Sequence, residues 1–173
     1  FGNKDNKDAK EQPEEKTPQE KINTKQILKL TEETISKNYI MADVAIIPGD
    51  DVLGYIDEQN RVVIHKRQCP VATRLKSSYG NRIIATEWDT HKDLSFLVTI
   101  YIKGIDSMGL LNEVTQVISR QLNVNIRKLT IETNDGIFEG KIQLYVHDVD
   151  DVRTICNNLK QIQNIKQVTR VEE

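Results

Sequence analysis

The chain has 173 residues, 38% of them hydrophobic, with a formal net charge of −2 and a pI near 6.0. That size holds one modest core or two small ones and excludes a large catalytic fold, while the near-neutral balance gives no global drive toward nucleic acid or an anionic membrane. Its two cysteines are no secreted disulfide framework, and no apolar run approaches the roughly 18 residues of a membrane span, so the cytoplasm is the expected compartment and no membrane partner is expected.

Residues 1–23 begin at Phe1 rather than Met and read FGNKDNKDAKEQPEEKTPQEKIN with scarcely an apolar side chain. Such a segment cannot offset the entropy of ordering its backbone, so a disordered linker is expected, in a piece cut from a longer protein. Over residues 24–38, Ile27, Leu28, Leu30 and Ile35 predict a short connecting helix with Thr24 as its N-cap. Residues 39–92 form a small mixed β/α unit. Strands are expected at 44–47, 52–56, 61–64 and 83–88, and a helix runs from Pro70 to Ser77. Pro48-Gly49-Asp50-Asp51 and Glu58-Gln59-Asn60 are turn signals that make 52–64 a hairpin delivering His65 and Cys69.

From residue 93 the pattern is regular. Phe96, Val98, Ile100 and Ile102 alternate on a strand ending at Ile105, and Leu110, Leu111, Val114, Val117 and Ile118 line one face of a helix over 107–122. Strands over 124–133 and 137–147 flank Asn134-Asp135-Gly136, a strong hairpin signal; a helix through Val152, Ile155, Cys156, Leu159 and Ile162 and a strand over 165–171 follow. The fold class is therefore α+β: a small mixed domain, then a βαββαβ ferredoxin-like domain with a four-stranded antiparallel sheet and both helices on one face. RNA-recognition domains share this order, but the Lys/Arg-Gly-Phe-Gly-Phe string is absent. Phe96 and Phe138 are expected in the core with Ile100 and Ile142, and Asn125, Arg127, Tyr101, Tyr145 and His147 on exposed faces.

Three strings carry a family resemblance: Ile47-Pro48-Gly49-Asp50, Gly54-Tyr55-Ile56, and His65-Lys66-Arg67-Gln68-Cys69-Pro70. They resemble the cysteine-bearing domain near the C-terminus of long RelA/SpoT homologues, which make and hydrolyse the alarmone (p)ppGpp. Gly104 to Leu111, with Asp106 before Gly109-Leu110-Leu111, resembles the signature of the ACT domain that ends these proteins. The resemblance covers roughly residues 40–173. It implies a degenerate zinc-finger-like domain over 39–92, an ACT domain over 93–173, and a role in the stringent response. The parent would be a GTP diphosphokinase, a (p)ppGpp hydrolase or both, whose catalytic domains lie elsewhere in its chain and are controlled from here.

No phosphate-cradling loop, nucleophile elbow or zinc-protease helix is present, so the fragment is expected to be catalytically silent. Where the family pattern has paired cysteines, this chain has Asp43 and Val44. That leaves His65 and Cys69 as weak metal candidates, with Asp43 and His91 as distant helpers, and zinc is not expected, because thiolates supply much of its affinity. Cys156 reads as a structural thiol in a helix stripe, and no cofactor is expected.

Arg61, Lys66, Arg67, Arg74, Lys76 and Arg82 fall in a stretch from Arg61 to Ile83 that holds no Asp or Glu. A solvated face is one reading. The other, which the resemblance favours, is contact with ribosomal RNA, since phosphates reward clustered cations. Asp106, Ser107, Met108, Gly109 and Leu110 form either a strand-to-helix turn or the mouth of an amino-acid site, where helix N–H groups can meet a carboxylate. The alternative function is thus an amino-acid-binding ACT module that acts through ligand-dependent oligomerisation. An exposed edge strand makes a homodimer a further expected partner.

Overall fold

The computed structural model of the chain describes residues 22–37, 39–42 and 45–172. Nearly all of the expected linker over 1–23, together with Asp43 and Val44, lies outside them. The described residues open with strand β1 (Leu28–Leu30) and the short helix α1 (Glu32–Lys37). This corrects the helix expected over 24–38. Leu30 is fully buried, and β1 runs parallel to Thr86–Trp88, so apolar residues that could have shared a helix face are drawn into a sheet. The helix cap is Thr31 rather than Thr24: the Thr34 N–H donates to Thr31 Oγ1 at 3.3 Å, and the Thr31 N–H to Thr34 Oγ1 at 2.7 Å.

Next come β2 (Tyr39–Met41), β3 (Val52–Ile56), β4 (Val62–Lys66), helix α2 (Pro70–Ser78), a 3-10 turn (Gly80–Arg82), β5 (Ile83–Ile84) and β6 (Thr86–Trp88). The expected hairpin is present, with Val52 opposite Lys66 and Ile56 opposite Val62, in a sheet of order β2-β4-β3-β5. The strand expected over 44–47 is not formed in its described part. The strand lies upstream as β2, parallel to β4, and residues 46–51 make a loop instead. Leu30, Ile46, Val52, Val62 and Ile64 form the small core, with Trp88 against it.

The second unit is β7 (Phe96–Ile105), α3 (Leu110–Thr115) continued by a π-helical stretch (Gln116–Gln121), β8 (Ile126–Asn134), β9 (Ile137–Val146), α4 (Val149–Lys160) and β10 (Ile165–Arg170). Its four strands lie in the antiparallel order β10-β7-β9-β8, as the βαββαβ pattern requires. Asp135 and Gly136, with φ of 50° and 77°, make the tight turn between β8 and β9. Asp148 caps α4 by accepting from the Asp151 N–H at 3.0 Å, and the Asp151 carboxylate accepts from the His147 N–H at 2.9 Å. Ile100, Leu110, Val114, Ile118, Ile142, Ile155 and Leu159 are among the core residues at 0–1% exposure, and Phe138 joins them with Phe96 and Cys156 packed alongside. Leu111 departs from the predicted stripe: it is 44% exposed, because α3 turns Leu110 and Val114 inward.

Candidate functional site

The six basic residues do not share one fate. Arg61 closes the β3–β4 turn, its Nε 2.8 Å from Asp57 Oδ2. Asp57 also accepts the Gln59 and Arg61 backbone N–H groups at 2.9 Å each, and the Arg61 backbone first, then its side chain, holds the Asp57 carboxyl below its ordinary pKa. Arg67 Nε lies 2.8 Å from Asp51 Oδ1, and its Nη2 donates to the Val52 carbonyl at 3.2 Å. Lys66 pairs with Glu172 beyond the end of β10. Arg74 and Lys76 stand exposed on α2, and half-buried Arg82 ends the 3-10 turn. Among the described residues, none of these last three has an ion-pair partner.

Helix α2 owes its start to two neighbours. Cys69 is the N-cap, its Sγ accepting from the Ala72 N–H at 3.2 Å, and Pro70 takes the first helical position, where a missing N–H costs nothing. Ala72 alone is buried, so the helix rests on the sheet by a narrow stripe and leaves Arg74 and Lys76 to solvent. Lys76 in the last turn also complements the helix dipole.

His65 faces Leu53 across the hairpin, while the Cys69 thiol is engaged as a cap, and His91 lies on the segment between the two units. Among the described residues, no three His, Cys, Asp or Glu side chains come together as a metal could use. Asp43, the expected oxygen donor, lies outside them.

At the other end, the Asp106 N–H donates to the Gly136 carbonyl at 2.8 Å, and Ser107 Oγ accepts from Asn164 Nδ2 at 2.9 Å. The strand-to-helix turn is present, and Gly109, at φ +82°, occupies the N-cap position of α3 with no side-chain bond. Met108 is fully exposed beside exposed Ile105 and Leu111, and Leu110 is a core side chain at 1% exposure. Of the residues expected on exposed faces, Tyr145, Asn125 and Arg127 are exposed. Tyr101 and His147 are half-buried, His147 with Nδ1 2.8 Å from the Leu94 carbonyl.

Sequence reasoning missed the junction between the units. Ile47 is 1% exposed inside the core of the second unit, not the first. Asp50 receives Arg170 from β10, Nη1 to Oδ1 at 2.7 Å and Nη2 to Oδ2 at 3.0 Å. The turn string Ile47-Pro48-Gly49-Asp50 was visible, but nothing local says that a turn will be clasped by residues about a hundred positions away.

Comparison with known families accounts for both units. Residues 40–89 match the model of the RelA/SpoT RIS domain, and residues 92–170 that of the ACT domain. The chain is a RelA/SpoT-type regulatory region. It is 27% identical over 126 residues to a GTP pyrophosphokinase of Streptomyces coelicolor, an alignment covering 72% of this chain and 15% of that protein. Over 125 residues it is 26% identical to the bifunctional (p)ppGpp synthase/hydrolase SpoT of Escherichia coli K12, covering 72% and 18%. The regulatory region thus spans less than a fifth of the length of these relatives. The solution structure of the ACT domain from a GTP pyrophosphokinase of Chlorobium tepidum is 33% identical, with a TM-score of 0.43, covering 46% of this chain and 89% of that one. In these terms α2 belongs to the RIS unit and the Arg170 strand to the ACT unit.

Proposed function

We propose that this region senses the ribosome for a (p)ppGpp synthetase/hydrolase and meets ribosomal RNA through Arg74, Lys76 and Arg82. The observation that carries the reading is the contrast among the six cations. Arg61, Lys66 and Arg67 are already paired with Asp57, Glu172 and Asp51, whereas the α2 edge offers its charges with no acidic neighbour in its own stretch of sequence. A cation held by a carboxylate must break that pair to reach a phosphate, so the unpaired ones are the better contacts. The region is read as catalytically silent, since its sequence carries no phosphate-cradling loop, nucleophile elbow or zinc-protease helix. Its parent is a cytoplasmic GTP diphosphokinase, hydrolase or both, whose distant catalytic domains it controls.

The test is ribosome association of the 173-residue chain at several salt concentrations. Changing Arg74, Lys76 and Arg82 together to Gln removes up to three phosphate contacts, so the log–log salt slope should shrink by roughly 2–3 units and affinity should fall. Unchanged affinity and slope would reject the RNA contact.

A second reading, amino-acid binding by the ACT unit, rests on the open loop at Met108 and Gly109, where nothing lies within 4 Å of an added Gly109 Cβ. Calorimetry with branched-chain amino acids should then show heat and a change in oligomeric state; no heat and no thermal shift count against it.

A further inference from the structure

We propose that the turn from Ile47 to Asp50 is an intramolecular clasp that locks the RIS and ACT units into one body and relays movement of β10 and α4 to the hairpin that carries α2. The inference is independent of the RNA reading. Three different kinds of restraint meet at this turn. The first is apolar: Ile47 leaves its own unit and fills a place in the ACT core, where it is 1% exposed. The second is a backbone bond. The Val149 N–H, at the first position of α4 where no intrahelical acceptor exists, donates to the Pro48 carbonyl at 3.0 Å. The third is the forked Arg170–Asp50 pair, whose side chains are only 11% and 12% exposed.

Each restraint is supported from behind. The Asp50 carboxylate accepts from the Ile47 N–H at 2.9 Å, and the Asp50 carbonyl accepts from Trp88 Nε1 at 2.8 Å. Arg170 also donates to the Ala45 carbonyl. Burial opposes the Arg170 charge, yet the hydrogen bonds and charge of Asp50 outweigh it and hold the guanidinium pKa above its ordinary value. Gly49 has φ +92°, a left-handed conformation that favours glycine, and a Cβ there would sit 3.1 Å from Val149 Cβ and crowd the close approach of turn and helix.

Two units joined by one linker are free to move about it, and relative motion is the default. A second attachment at Ile47–Asp50, remote in sequence from the linker near residue 92, removes that freedom. The route onward is short. Asp51 follows Asp50 and holds Arg67 through both its carboxylate and its carbonyl, the latter accepting the Arg67 N–H at 2.9 Å, and Arg67 precedes the Cys69 cap of α2. Displacing β10 therefore pulls on the start of the cationic helix through a path that alternates hydrogen bonds with short covalent steps of the chain, the kind of contiguous path that can couple two sites.

The measurement is 15N relaxation of the whole 173-residue chain, read separately for amides of the two units. The native chain should show one rotational correlation time for both. In the Asp50→Asn/Arg170→Met double variant the two values should separate and fall toward those of smaller bodies, with amide shifts of the β8–β9 turn unchanged to show that the ACT unit is intact. Arg170→Lys, which keeps the charge but not the forked donors, should give an intermediate separation, and it replaces the double variant should that fail to fold. Different correlation times in the native chain, or a common value that survives in the folded variants, would overturn the clasp.

Discussion

Replacing Ile47 with alanine tests whether a residue of the RIS segment belongs energetically to the ACT core. Ile47 is 1% exposed and packs among residues of β7, β9, α3, α4 and β10. At about 0.8 kcal/mol per buried methylene-sized group, loss of the atoms beyond Cβ removes roughly 2.5 kcal/mol, and the cavity left behind adds to it within the ~2–5 kcal/mol range for such changes. Collapse is resisted, because Pro48 is bonded to Val149 and Asp50 to Arg170, so the turn cannot follow the missing side chain inward. A loss of about 3–4 kcal/mol is expected, which for a chain of this size lowers Tm by on the order of 10 °C. The assay is thermal unfolding of the 173-residue chain followed by circular dichroism. Ile27→Ala serves as the control, since Ile27 is 62% exposed and should change stability by less than about 0.5 kcal/mol. If Ile47→Ala lowered Tm no more than Ile27→Ala, the placement of Ile47 in the ACT core would be wrong.

Gly104→Ala should be among the most damaging small changes in the ACT sheet. Its Cβ would fall 2.1 Å from the Asn164 carbonyl oxygen and 3.0 Å from Ile165 Cα, backbone atoms that cannot turn aside, so β10 must move off β7 at a cost of about 3 kcal/mol in urea unfolding. Gly140→Ala should cost less, because the atom it meets at 2.5 Å is the flexible Ile131 Cδ1. Asp57, whose pKa is depressed in the fold chiefly by the Arg61 backbone N–H, contributes stability that is present above the ordinary carboxylate pKa of about 4 and lost as pH falls through the folded value. Native chain and Asp57→Asn should therefore differ in urea midpoint at pH 7, and the difference should shrink as the pH falls below about 4; a difference unchanged on acidification would refute the assignment.

The ACT unit was legible because its signals are periodic. Alternation in β7, the Asn134-Asp135-Gly136 turn and the Val152-Ile155-Leu159 spacing each name one element, and only one antiparallel arrangement buries all their apolar faces. Residues 24–38 misled because Leu28 and Leu30 suit a helix face and a strand equally. Pairing with Thr86–Trp88, more than fifty residues later, decided between them. The basic stretch was legible as composition but not as surface, since the carboxylates that bind Arg67 and Lys66 lie at Asp51 and Glu172, outside the stretch.

By itself the sequence determined the βαββαβ order, the β3–β4 hairpin, the start of α2 and the family, for all of these rest on neighbours within a few positions or on repeating periods. Only the tertiary structure decided which cations remain unpaired and that Ile47 and Asp50 serve the following unit rather than their own. The physical reason is that ion pairing and core burial depend on distance in space. Asp50 and Arg170 are 120 positions apart along the chain, yet their charged atoms meet at 2.7 Å.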